Sequence, residues 1–120
     1  GIERTVANVP AEKVINAVPF YTRIWETKDG QLSSQAVGMD MAEDYVSLHN
    51  MPVEWDEETC QNYAENTEGG SLFQVWLEDE RSIEVKLNIM EKYQIGGVAS
   101  WRLGFEKPEI WNVIEAYLNR

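Results

Sequence analysis

Apolar positions are unevenly distributed along the chain, and their spacing changes twice. Residues 1–12, GIERTVANVPAE, read as the tail of a helix running into a loop broken by Pro10. A continuous apolar run follows from Val14 to Tyr21, extended by alternating positions, as in a strand covered on both faces of a parallel sheet. Pro19 lies near the end of that run, and its missing N–H argues for a strand end or an edge. TKDGQ is a turn and LSSQAVG a short strand. MDMAEDYVSLHN suits a helix with Met41, Tyr45 and Leu48 on one face and Asp40 as its N-cap. The stretch PVEWDEETCQNYAENTEGGSLFQVWLED alternates like antiparallel strands, with WDEET and NTEGG as turns.

The last third has helical spacing. Asp79 can cap a helix over DERSIEVKLNIMEKYQ, whose stripe runs through Ile83, Leu87, Met90 and Gln94 and is widened by Val85 and Ile89. IGG stops that helix and VASWRL is a strand. PEIWNVIEAYLNR is a second helix with Pro108 near its first turn and Ile110, Val113, Ile114, Tyr117 and Leu118 on one face. Setting aside a small α+β unit in the middle, the order is β-α-β-α, the repeat of a parallel α/β protein. Two parallel strands do not make a covered sheet alone, so the expectation is part of a larger α/β domain.

Composition narrows the partners. With 120 residues and 43% hydrophobic content, the chain can build an ordinary core. Twenty-one acidic residues against 10 basic ones give a net charge of −11. No Lys/Arg cluster exists to displace counterions, which argues against nucleic acid and anionic membrane as partners and leaves neutral ligands such as sugars. The single cysteine, Cys60, excludes an internal disulfide and a cysteine zinc site, and fits a small strand side chain. His49, the only histidine, reads as a solvated surface residue. No run approaches the ~18 apolar residues of a membrane helix, and no metal or organic cofactor is implied.

Four segments in this order, AEKVINAVPFYTRIW, VEWDEETCQNYAE, VWLEDERSIEVKL and GGVASWRLGFEKPEIW, resemble the C-terminal third of a glycoside hydrolase family 18 protein. The branch they are most similar to is that of bacterial spore and cell-wall glycosylases of the N-acetylglucosaminidase type. The resemblance extends from about residue 8 onward. It implies a (β/α)₈ barrel of ~250 residues or more with its active site at the C-terminal strand ends. On it, residues 1–26 hold the end of helix 6 and barrel strand 7, residues 27–78 an α+β insertion, and residues 79–120 helix 7, strand 8 and helix 8. An extracellular, wall- or spore-associated bacterial protein is implied, acting on chitin or peptidoglycan.

The resemblance also implies the chemistry, cleavage of β-1,4-linked N-acetylglucosamine polymers by a substrate-assisted retaining mechanism. A glutamic acid protonates the leaving oxygen and the substrate's own acetamide attacks the anomeric carbon. The DxxDxDxE-type motif that carries this acid does not occur here, so the chain is expected to lack hydrolase activity by itself. What remains is one wall of the cleft. Trp101, at the end of the last strand, corresponds to the tryptophan under the sugar in the cleaved subsite, its flat indole matching the C–H face of a pyranose. Tyr21 suits lining the cleft and donating to a sugar oxygen or the acetamide. Arg23 suits binding hydroxyls, or equally a structural ion pair. Trp25, Trp55 and Trp76 lie in or beside the insertion and are candidates to extend the platform along the groove, Trp25 first among them, although three tryptophans in a small α+β unit more often form its core. Glu78 is a candidate to face the cleft, and Glu106 to reach its rim. Competing readings are a parent that keeps the groove but works as a lectin or wall anchor, and a self-contained interaction domain. Strand edges left open by a missing barrel would favour self-association.

Overall fold

The computed structural model describes residues 1–119. Two sheets organise them. Strands β1 (Ile15–Pro19) and β7 (Gly97–Trp101) form a parallel pair, register Ile15↔Gly97 to Pro19↔Trp101. Strands β2 (Tyr21–Lys28), β3 (Gln31–Gly38), β4 (Val53–Asp56), β5 (Gln61–Glu68) and β6 (Ser71–Leu77) form an antiparallel sheet in the order β3-β2-β6-β5-β4. Four helices accompany them: α1 (Ile2–Val6), α2 (Met39–Leu48), α3 (Glu80–Tyr93) and α4 (Ile110–Leu118).

The strand expected from Val14 to Tyr21 is in fact two. Pro19 has no N–H to continue a ladder, and the chain changes partner there. The Phe20 N–H donates to the Trp101 carbonyl at 2.7 Å, and from Tyr21 onward the backbone pairs with β3. The five-stranded sheet therefore takes residues from Tyr21, ahead of residue 27. Its tight turns fall where the sequence places them. Asp29-Gly30 and Gly69-Gly70 are two-residue loops with φ of 52°, 75°, 58° and 80°, the left-handed pairs whose twist suits a hairpin. At the β4–β5 turn Asp56 accepts from the Glu58 N–H and the Thr59 hydroxyl. Cys60 sits in this turn, not in a strand, with φ 55°.

One core lies between the parallel pair and α3 and α4. Val14, Val18 and Phe20 meet Ile83, Leu87 and Met90 of α3, and Ile110 and Ile114 of α4. The other face of the parallel pair is open: Ile15 is 67% exposed, and Ala17, Ala99 and Trp101 are exposed beside it. Parallel strands bury both faces, so this face lacks its cover. The second core lies between one face of the antiparallel sheet (Val37, Ala64, Val75, Leu77) and α2 with Met51.

The helices depart from expectation at their margins. In α2 the buried residues are Met39, Ala42 and Val46, while Met41 and Leu48 are 63% and 78% exposed. The small Ala42 lets the helix approach the sheet, and that turns the face. Asp40 is not the cap. The N-cap is Gly38, and the Met39 N–H donates instead to the Phe105 carbonyl. Helix α3 has the expected cap, a box in which Asp79 and Ser82 each accept from the other's backbone N–H at 2.9 Å. Gln94 leaves the stripe because it is the left-handed C-cap. In α4 Leu118 is exposed, and Pro108 precedes the N-cap Glu109. His49 is half-buried, stacked on Tyr45 and bonded to Glu68 at 2.8 Å.

Candidate sugar-binding site

The carboxyl ends of β1 and β7 lie side by side at Pro19 and Trp101. In parallel α/β sheets this is the end at which side chains from neighbouring connections converge. Here the backbone leaving β1 carries Tyr21 and Arg23 on one face of β2, since residues two apart share a face. The backbone leaving β7 carries Phe105. With Ala36, opposite Arg23 on β3, these residues and Trp101 line an open recess of about 190 Å³.

Trp101 is 67% exposed, as is Ile15 on the same uncovered face, so its indole is packed into neither core of this chain. Arg23 donates through Nη1 to the Ser34 hydroxyl at 2.7 Å, which orients the guanidinium without neutralising it. The Arg102 guanidinium stacks over the Phe105 ring at 4.6 Å. The Phe105 backbone is itself fixed by the first N–H of α2 and packs on Gly38, where a Cβ would stand 3.2 Å from the Phe105 carbonyl oxygen. Lys107 secures the same loop, bridging Glu43 of α2 at 2.6 Å and Glu80 of α3 at 3.1 Å. Burial alone would lower the Lys107 ammonium, but its hydrogen bonds to Glu43 and Glu80 and their charges outweigh this and raise it above the usual lysine value.

Of the five residues expected at the site, Tyr21, Arg23 and Trp101 come together in this recess. Trp25 shares their face of β2 but lies one step further along, opposite Ser34 and Gln74 and outside the recess. Glu78 does not face the cleft. Its side chain is 4% exposed and both carboxylate oxygens are engaged, by Gln61 and Lys86 on Oε1 and by Ser82 and Lys86 on Oε2. It is a buried junction between β6 and α3. Glu106 accepts from the Gly104 N–H and from the Trp111 indole, and is likewise outside the lining.

Sequence reasoning missed Ala36 and Phe105. Phe105 follows the last strand with no periodic signal, and only its backbone bond to α2 brings it to the recess. No carboxylic acid lines the recess. Its chemistry is a flat apolar ring, a phenol hydroxyl and a cation, which suits holding a neutral polyol and supplies no proton donor of carboxylic strength.

Comparison with known proteins gives the chain's family. Over 114 residues the chain is 29% identical to the cortical fragment-lytic enzyme of Bacillus anthracis, covering 90% of this chain and 26% of that protein. It is 29% identical over 105 residues to the putative sporulation-specific glycosylase YdhD of Bacillus subtilis, covering 85% and 25%. The structure superposes on the Bacillus cereus spore cortex-lytic enzyme SleL with a TM-score of 0.87 at 25% identity, over 97% of this chain and 28% of that one. The chain thus spans about a quarter of the length of these relatives. The family model of the glycosyl hydrolases family 18 matches residues 2–106, and the chain belongs to that family.

Proposed function

We propose that this chain is the last part of a (β/α)₈ barrel glycosidase, with β1 and β7 as its seventh and eighth strands and residues 21–78 as the α+β insertion between them. The whole protein hydrolyses β-1,4-linked N-acetylglucosamine polymers of chitin or peptidoglycan at a spore or cell wall, by the substrate-assisted retaining route. This chain contributes one wall of the cleft. Trp101 is the floor on which the sugar to be cleaved stacks, its exposed indole against the C–H face of the ring. The Tyr21 hydroxyl donates to the acetamide or a ring oxygen, and Arg23 binds hydroxyls. The carboxylic acid that protonates the leaving oxygen comes from outside the chain, so the 120 residues alone are inactive. The uncovered face of the parallel pair supports this reading, because a barrel interior is what would cover it.

The observation that carries the proposal is the convergence of Tyr21, Arg23 and Trp101 in one recess at the carboxyl ends of two parallel strands. The test is initial-rate hydrolysis of N-acetylglucosamine oligomers by the full-length protein and its Trp101→Ala variant. A drop in kcat/KM of roughly a hundredfold or more is expected, with the fold intact. Unchanged turnover in Trp101→Ala would remove the floor role. A full-length protein that binds the oligomers and never cleaves them would favour the alternative, a chitinase-like lectin or wall anchor built on the same groove.

A further inference from the structure

The two faces of the antiparallel sheet have opposite fates. One carries Val37, Ala64, Val75 and Leu77 under α2. On the other, only Gly38 at the end of β3 is buried, yet the face bears Tyr21, Trp25, Tyr63 and Trp76. The register sets these in rows across the strands. Ala36 pairs with Arg23, and Glu54 with Tyr63, which pairs with Trp76. Because Trp25 pairs with Gln74 and Ile24 with Val75, one more step in that register brings Trp76 level with Arg23. A single row thus runs from Ala36 and Arg23 of the recess to Trp76 and Tyr63, roughly 10 Å beyond Arg23 at the usual strand spacing.

We infer that Trp76 and Tyr63 form a second sugar platform, on which an N-acetylglucosamine chain continues from the recess across the open face of the sheet. The inference rests on the proposed function above. Both rings are half-buried, and Tyr63 is held by polar tethers. The Tyr63 hydroxyl accepts from Gln74 at 2.9 Å and donates to Glu65 at 2.5 Å, and the two rings lie 4.8 Å apart at 44°. A tyrosine tethered at its hydroxyl and packed against its neighbouring indole keeps its orientation before a ligand arrives, which lowers the ordering cost of binding. Glu54, Asp56 and Glu65 edge the row with acceptors for sugar hydroxyls, and with the net charge of −11 they repel anionic ligands. A neutral acetylated chain is the occupant that this charge pattern and the continuity with the recess select.

The test compares equilibrium binding, by fluorescence titration, of the N-acetylglucosamine dimer and hexamer to the full-length protein with its catalytic carboxylic acid replaced by the amide, so that neither oligomer is cleaved, and to the same protein carrying Trp76→Ala, Tyr63→Ala or Trp101→Ala. Trp76→Leu, which keeps apolar bulk without the flat ring, serves if Trp76→Ala fails to fold. The platform predicts hexamer affinity roughly tenfold weaker in the Trp76 and Tyr63 variants with dimer affinity unchanged. Hexamer affinity equal to that of the parent in both would overturn it, even where Trp101→Ala weakens dimer and hexamer alike and so sustains the recess. Dimer and hexamer both untouched by Trp101→Ala would instead defeat the underlying reading.

Discussion

Glu78 and Trp101 are opposite cases at the residue scale. Glu78 is buried and has four hydrogen bonds from three side chains, so its removal strands Lys86, Gln61 and Ser82. Glu78→Ala is expected to destabilise the full-length protein by about 2–3 kcal/mol, at the lower end for a broken buried pair because Lys86 can still reach water. Glu78→Gln, which keeps an acceptor for Ser82, should lose less. Urea unfolding midpoints check both. In the 120-residue chain, where its side chain is already exposed, Trp101→Ala should move the midpoint by no more than about 0.5 kcal/mol. From the sequence the two look alike, a polar and an aromatic residue each at a strand end. Glu78 becomes structural only because Gln61, seventeen residues earlier, is brought against it by strand pairing.

At the scale of elements, the loop after β7 is held by α2 and α3, and these contacts set the recess. In Gly38→Ala the new Cβ would stand 3.2 and 3.3 Å from the Phe105 carbonyl oxygen and Cα, backbone atoms that can yield only by moving the loop. Sugar affinity should fall several-fold, with a smaller change in unfolding midpoint, as binding and denaturation measured on one variant would reveal. The Lys107 tie makes a pH prediction. Burial raises the Glu80 carboxyl, but a bond from its own backbone N–H and the Lys107 ammonium outweigh this and hold it below the usual glutamate value. The unfolded chain therefore binds the proton more readily, and the stability Glu80 contributes is present at neutral pH and lost as pH falls below about 4.5. Lys107, raised in the folded state, contributes at all pH values below the unfolded value of 10.5 and is lost above it. Lys107→Met should flatten the acid limb of midpoint against pH. Parallel limbs in the two proteins would show that the tie does not matter.

On the scale of the whole molecule, the described residues hold two cores and one uncovered apolar face. Ile15, Ala17, Ala99 and Trp101 lie on that face, and both strands of the parallel pair have a free edge. We expect the 120-residue chain, expressed alone, to associate through these edges and this face. Light scattering over a concentration series checks it, and a strict monomer at crystallisation concentrations would refute it. The β-α-β-α frame, the hairpin turns and the α3 cap were legible in the sequence because each rests on local chemistry: periodicity, Asp29-Gly30 and Gly69-Gly70, and Asp79 with Ser82. The face of α2 was not, because its orientation depends on how closely Ala42 meets a sheet assembled from distant segments.

Sequence alone determined most of the elements, the acidic balance, the absence of the catalytic motif and the candidacy of Tyr21, Arg23 and Trp101. These are properties of residue type and near-neighbour spacing, which the chain carries whether folded or not. Tertiary structure alone decided that Pro19 ends one sheet and Tyr21 begins another, that Glu78 is sealed at a junction, and that Phe105 completes the recess. Each of these turns on strand register or on a backbone group meeting a partner far away in sequence, and no local pattern encodes such a meeting.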